Sequence, residues 1–108
     1  MSPVDYKTIK LSRNEARKRI NEIVTNWPSN LKVSRHAEEE LSSERLASSD
    51  AVNLLKSPAA KILDEGELEN GSWRYRLQTA NLMLVVAFWP NGQGLTVVTG
   101  WDKRKGAK

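Results

Sequence analysis

The sequence predicts an α+β domain in which N-terminal helices pack on one face of a four-stranded, mainly antiparallel sheet. Two observations lead to this fold class. Apolar residues recur at helical spacing up to about residue 57, and from residue 59 the hydrophobic pattern takes the two-residue period of strands. Because 108 residues suit one domain, we expect a single domain over residues 1–108, with loosely held ends at about 1–11 and 103–108.

Three helices are predicted in the first half of the chain. Ser12 opens a capping-box pattern at the start of the first helix, which ends before Pro28. Ser34 is placed to cap a second helix, and Ser49-Asp50 to cap a third. The apolar residues at helical spacing in these segments are Ala16, Ile20, Ile23, Val24, Ala37, Leu41, Val52, Leu54 and Leu55.

Four strands follow in the second half, joined by short turns. Their segments are KILDEGELE at 61–69, WRYRLQT at 73–79, LMLVVAFW at 82–89 and LTVVTGW at 95–101. Turn residues between these segments predict an antiparallel meander. The third segment is apolar on both faces, which is typical of a central strand covered on both sides, or of one whose outer face meets a partner.

The second of these segments carries a cationic face. Its even-numbered residues Arg74, Arg76 and Gln78 are expected to face outward, with the two guanidinium groups about 7 Å apart along the strand. Groups at that separation can hold adjacent phosphates of a nucleic acid. The alternative is cross-strand pairing, in which the arginines neutralise Glu67 or Glu69 of the preceding strand. The residues expected to face the core are Trp73, Tyr75 and Leu77.

A second cationic cluster follows the last predicted strand. Lys103, Arg104 and Lys105 can attract RNA electrostatically, and Trp101 can stack on a base if it lies on the open face of the sheet. The alternative for Trp101 is a core anchor, which is the common role of a large aromatic side chain. The net charge is +4, but residues 36–71 are strongly acidic between two basic ends, which suits a polyanion on one side and a basic protein on another.

His36 is the only histidine, and it lies beside Arg35 at the predicted start of the second helix. Because the chain has no cysteine and no second histidine, we expect no protein-built zinc or iron site. One imidazole is nevertheless sufficient for general acid or base catalysis, since it exchanges protons near neutral pH. The alternative is an exposed histidine at a helix start without a chemical role.

Cellular location is indicated by what the composition lacks. The absence of cysteine is typical of a reducing compartment, and the polar N-terminus has no apolar segment of the kind that a signal peptide needs. The longest apolar run, residues 82–89, is too short to span a bilayer. We therefore expect a soluble cytoplasmic protein with no membrane association.

Several short motifs together resemble a known group of proteins. They are the Ser-x-His-Ala segment at 34–37, DAVNLL at 50–55, WRYR at 73–76, LMLVVAFW at 82–89 and LTVVTGWDK at 95–103. Their pattern is similar to small prokaryotic domains of the RelE/MqsR type, within the barnase, EndoU, colicin and RelE-like nuclease fold. The resemblance implies a RelE-like fold over about residues 33–103. It also implies a toxin of a toxin–antitoxin module that cuts mRNA, often on the ribosome, without a metal.

The resemblance assigns expected roles to individual residues. His36 matches the histidine of the family's His-Ala helix motif, Arg74 or Arg76 matches its strand arginine, and Lys103 lies near its basic residue after the last strand. Many such sequences have an arginine four residues after the histidine, but here that position is Glu40. The nearby Arg45 supplies a helical arginine only if the alignment slips.

The implied reaction is RNA cleavage by attack of the 2′-hydroxyl on the adjacent phosphate. It needs a base, an acid and cations to hold the phosphorane charge, but no cofactor. We expect His36 as base or acid, Arg74 and Arg76 as phosphate clamps, Tyr75 as a weaker proton-transfer candidate and Lys103 as a substrate contact. The role of Tyr75 in proton transfer conflicts with its expected place on the core face, because a core-facing tyrosine cannot reach the substrate.

The expected partners are RNA and a cognate antitoxin protein; the sequence leaves the oligomeric state open. Besides the residues above, Arg35, Arg45 and Gln78 are candidates for RNA contacts. Two alternatives stay open. The first is a non-catalytic module that binds RNA or a toxin-type protein through the same basic face. The second is a DNA-binding repressor subunit, which ranks last because no basic recognition helix follows a turn glycine.

Overall fold

The structure, a computed structural model, is an α+β fold described over residues 5–57, 60–62, 66–69, 71–79 and 82–102, with the Asp102 side chain left out. The helices and strands of these residues are α1 (Arg13–Asn26), a 3-10 turn (Pro28–Asn30), β1 (Leu31–Val33), α2 (Arg35–Ser43), α3 (Ser48–Lys56), β2 (Lys61–Ile62), β3 (Glu67–Glu69), β4 (Ser72–Gln78), β5 (Leu82–Phe88) and β6 (Leu95–Asp102).

Serine side chains cap the starts of the first two helices. The hydroxyl of Ser12 accepts from the backbone N–H of Glu15 at 3.2 Å, and the Glu15 carboxylate accepts from the backbone N–H of Ser12 at 3.3 Å. The capping box of α1 is therefore confirmed. Ser34 caps α2 by accepting from the N–H of Ala37 at 3.0 Å. The expected cap of α3 at Ser49-Asp50 is wrong, because the N-cap residue is Ala47 and the helix begins at Ser48. The Asp50 carboxylate instead accepts from the N–H of Ala47 at 2.7 Å.

The described sheet has six strands rather than four, in the order β1-β6-β5-β4-β2, with β3 also paired to β4. It is mixed, since β1 runs parallel to β6 with Leu31 opposite Leu95, while the other pairs are antiparallel. Three residues are too few to show a hydrophobic period, so β1 could not be recognised in the sequence. The segment 61–69 was expected as one strand, but it contains the separate strands β2 and β3.

Gly66 explains why β3 follows the course of β4 so closely. Its φ of +89° is a conformation that glycine adopts readily, and a Cβ at this position would lie 2.7 Å from the carbonyl oxygen of Arg74. Glu67 and Glu69 then face Arg74 and Ser72 across the strand pair. The backbone at residue 66 therefore brings two carboxylates to the edge of the cationic strand.

The two faces of the sheet differ in what covers them. The helices pack on one face, where Tyr75 and Leu77 of β4 are fully buried beside α1 and α2 residues. Arg74 and Arg76 lie on the other, open face. The residues that the three helices and the three long strands contribute to the hydrophobic core are Ala16, Ile20, Ile23, Ala37, Leu41, Ala51, Leu54, Leu55, Tyr75, Leu77, Leu82, Leu84, Val86, Phe88, Leu95 and Val97.

Residues 5–11, which we expected to be loosely held, are bonded to the sheet. The N–H of Tyr6 donates to Pro90, the N–H of Trp73 donates to the carbonyl of Lys7, and the N–H of Leu11 donates to the Tyr75 hydroxyl. A polar N-terminal stretch gave no sign of these long-range bonds. The expected loose end at 103–108 lies outside the described residues.

Within the part of the chain that the structure describes, no helix combines the length and apolar character needed to cross a membrane.

Candidate functional site

A groove of about 360 Å³ crosses the open face of the sheet, and we call it the arginine groove. It brings together four residues that the sequence singled out, His36, Arg74, Arg76 and Trp101. Val85 on β5 also lines it. The remaining described residues of its lining are Glu67, Glu69, Val98 and Thr99.

Strand register explains how these side chains come to share one face. Arg76 lies opposite Val85 on β5, and Val85 lies opposite Thr99 on β6, so the three form a row across the sheet. The register between β5 and β6 shifts after Val85, and the extra residue of β6 is Val98. Such a bulge re-aims side chains, which is why the consecutive residues Val98 and Thr99 both line the groove.

Both arginines of the groove are ion-paired. Arg74 Nη1 lies 3.5 Å from a Glu69 oxygen, and Arg76 Nη2 lies 3.1 Å from a Glu67 oxygen. Cross-strand pairing, the alternative explanation of this cationic face, is therefore present. Because the glutamate side chains are more than half exposed, each pair contributes only about 0–1 kcal/mol to stability. A phosphate that offers a stronger bond can replace them at low cost.

On the opposite side of the groove, Glu40 holds His36. One carboxylate oxygen of Glu40 lies 3.3 Å from His36 Nε2, accepts from the hydroxyl of Thr99, and accepts from the N–H of Gly100 at 3.4 Å. This contact favours a proton on Nε2, so Nδ1 is the imidazole nitrogen left to exchange protons. In the sequence, Glu40 stands out only as a departure from a family pattern. Its four-residue spacing from His36, which places both on one side of a helix, is the signal that points to this contact.

Tyr75 is wrong as a proton-transfer candidate. It is fully buried on the helix-covered face, where its hydroxyl accepts from Leu11 and donates to the carbonyl of Ile9 at 3.3 Å. Burial raises the pKa of Tyr75, and the nearby carboxylate of Glu15 acts in the same direction, whereas the bond from Leu11 opposes them. This tyrosine anchors the N-terminal segment and lies on the far side of the sheet from the arginine groove.

The other predicted contacts either do not line the groove or lie outside the described residues. Arg35 is 93% exposed and pairs with Glu39 at 3.6 Å, and Arg45 follows α2 with a φ of 61°. Gln78 is two residues beyond Arg76 on the same strand. None of these three is among the described residues that line the arginine groove. The remaining predicted contacts, Lys103, Arg104 and Lys105, lie outside the residues that the structure describes.

Electrostatically, the groove is mixed rather than simply basic. Its two arginines are balanced by two glutamates, and Glu40 adds a third carboxylate next to His36. No group of three or more potential metal ligands occurs among the described residues. The groove therefore combines cations for an anion with an imidazole and carboxylates that can exchange protons.

Comparison of the chain with protein-family models, curated proteins and solved structures found no match. The likeness to RelE-type domains consequently rests on short motifs alone. Any function for the groove has to be argued from its own residues.

Proposed function

We propose that the chain is a metal-independent endoribonuclease that cleaves single-stranded RNA in the arginine groove. The observation that carries the proposal is the shared groove, in which an imidazole, two guanidinium groups and carboxylates surround one space. Transesterification by the 2′-hydroxyl needs these three kinds of group, since it moves two protons and builds negative charge on phosphorus.

The roles follow from position. Arg74 and Arg76 hold the phosphate and the charge that develops on it, and they exchange Glu69 and Glu67 for phosphate oxygens when RNA binds. His36 exchanges a proton with either the 2′-hydroxyl or the leaving 5′-oxygen through Nδ1. Where protonated His36 donates to the 5′-oxygen, the carboxylate released from an arginine accepts the proton of the 2′-hydroxyl. Where neutral His36 takes the proton of the 2′-hydroxyl, water protonates the leaving 5′-oxygen.

RNA rather than DNA is the substrate of this reaction, because the attacking group is the 2′-hydroxyl. Trp101, which is partly exposed in the groove, offers a surface on which a base can stack. We further propose mRNA as the cellular substrate and a cognate antitoxin protein as the partner that restrains the activity. This follows the motif resemblance in the sequence.

A second candidate function is a non-catalytic module that binds RNA or a protein with the same face. The pairing of both arginines with Glu67 and Glu69 favours the protein-binding form of this module, because a groove with balanced charge attracts RNA less strongly than a basic one. Primer extension on a defined transcript, with purified protein in EDTA, separates the two. Cleavage identifies the nuclease, and binding with intact transcript identifies the module.

Two variants test the nuclease assignment. His36→Ala should lower the cleavage rate about 10²- to 10⁴-fold because it removes a proton-transfer group, and Arg76→Ala should lower it about 10²-fold. Arg13→Ala is the matched control, since Arg13 is an exposed arginine of α1 away from the groove. If His36→Ala cleaves as fast as the wild type, the imidazole takes no part and the proposal fails.

A further inference from the structure

A second cavity, of about 440 Å³, lies on the same open face and adjoins the arginine groove. Arg74 and Val98 line both, so the two spaces meet at these residues. Trp89, Pro90, Lys7 and Ser72 line the cavity but not the arginine groove. We call it the tryptophan cavity.

Two donors buried at this cavity have no partner. Ser72 is 5% exposed, and its hydroxyl makes no hydrogen bond within the described residues; the same is true of Arg74 Nε. A buried polar group without a partner costs about 1–3 kcal/mol. Such groups are few in native proteins, and an unfilled ligand site is one of the reasons for them.

The chemistry of the wall specifies an acceptor-rich ligand. Ser72 and Arg74 Nε offer hydrogens, and the exposed Lys7 adds an ammonium group. Thr96 Oγ1 accepts from Trp89 Nε1 at 3.1 Å, which leaves its own hydrogen to donate into the cavity. Four donors, two of them cationic, fit the oxygens of a phosphodiester, and the indole of Trp89 offers a flat surface to a base.

We propose that the tryptophan cavity is a second nucleotide subsite. It takes the phosphate and base next to the nucleotide held in the arginine groove, and Arg74 lies between the two phosphates. The ligand class is therefore a single-stranded oligoribonucleotide with at least two phosphodiesters.

This inference rests on the proposed function, and the test separates the two. The probes are 2′-O-methyl oligoribonucleotides, which the enzyme cannot cleave: a dinucleotide with one phosphodiester and a hexanucleotide. Calorimetry at low salt should show that the wild type binds the hexanucleotide at least about tenfold more tightly. Ser72→Ala and Lys7→Gln should each reduce that affinity ratio by roughly threefold to tenfold, as expected for one lost bond to a phosphate.

Lys10→Gln is the matched control, because it removes one lysine charge from a residue that stacks on Trp73 and does not line the cavity. The subsite is overturned, and the proposed function left standing, if both RNAs bind the wild type with equal affinity. The same holds if Lys10→Gln reduces the ratio of hexanucleotide to dinucleotide affinity as much as Lys7→Gln does. Failure of both RNAs to bind overturns both. Binding of inorganic phosphate that RNA does not displace would identify an anion site unrelated to RNA and would also overturn the subsite.

Stability provides a second readout for Ser72. Removing a buried hydroxyl that has no partner should leave the melting temperature unchanged or raise it, since the folded protein loses no bond. A clear fall in melting temperature for Ser72→Ala would mean that the hydroxyl is already bonded within the protein. That result would remove the basis of the proposal.

Discussion

The two faces of β4 treat their polar groups in opposite ways. On the covered face, the Tyr75 hydroxyl is buried, accepts one hydrogen bond and donates another. On the open face, Arg74 and Arg76 are partly exposed and held by glutamates that are themselves more than half exposed. Neighbouring residues of one strand thus have different roles. The buried hydrogen bond of Tyr75 stabilises the fold and is costly to lose. The exposed ion pairs of Arg74 and Arg76 contribute little to stability, so a ligand can replace the glutamates.

The largest expected effect on stability lies on the covered face. Tyr75→Phe should lower the free energy of unfolding by about 1–3 kcal/mol, because the N–H of Leu11 is left buried without an acceptor. The pKa of Tyr75 is raised by folding, so its stabilisation is complete below the unfolded value near pH 10 and declines as pH rises above it. Urea unfolding at neutral pH and at about pH 11 measures both effects.

Tyr75→Phe also supplies the internal control for that measurement. Other groups titrate at alkaline pH in both proteins, so the difference between wild type and variant isolates this hydroxyl. We expect the difference to shrink above pH about 10. A difference that grows with pH would mean that folding favours the ionised phenol, contrary to its burial.

The next effect lies on the open face and concerns RNA affinity. The double variant Glu67→Gln/Glu69→Gln should bind a 2′-O-methyl hexanucleotide up to about tenfold more tightly, because the arginines no longer have competing carboxylates. Its stability should change by less than about 1 kcal/mol. Fluorescence anisotropy across a salt series should also show a steeper salt dependence.

Glu38→Gln/Glu39→Gln is the matched control for charge, since both residues are exposed on α2 and neither is among the described residues of the groove lining. An equal gain in affinity for both double variants would show that net charge alone is responsible. The exchange of carboxylate for phosphate at Arg74 and Arg76 would then be excluded.

Local patterns in the sequence were sufficient for parts of this comparison. The capping serines at residues 12 and 34 and the alternation of 73–78 are decided within a few residues, and the structure has the expected helix starts and the expected faces. The placement of the arginines on the open face followed from that alternation. Their glutamate partners were considered because the acids of 67–69 precede the strand along the chain.

Long-range pairing was what the sequence could not supply. The strand β1 exists because Leu31 meets Leu95, and the N-terminal segment is held because Lys7 meets Trp73. The segments that make these contacts, residues 31–33 and 5–11, are too short to show a hydrophobic period or a motif. The subsite at Ser72 belongs to the same class, since an isolated serine acquires meaning only from its burial without a partner.

The smallest expected effect concerns the contact between Glu40 and His36, at the edge where α2 meets β6. Glu40→Gln keeps an acceptor for Thr99 and Gly100 but removes the charge that favours a proton on Nε2. We expect a larger share of the Nδ1–H tautomer in imidazole ¹⁵N spectra. With His36 as the base we also expect a loss of cleavage of roughly threefold, because less of the imidazole then has Nδ1 unprotonated; with His36 as the acid, cleavage should not fall. Glu39→Gln, the neighbouring carboxylate that pairs with Arg35, is the control. If both variants give the wild-type tautomer ratio, Glu40 does not set the tautomer of His36. Its carboxylate then serves only to join α2 to β6.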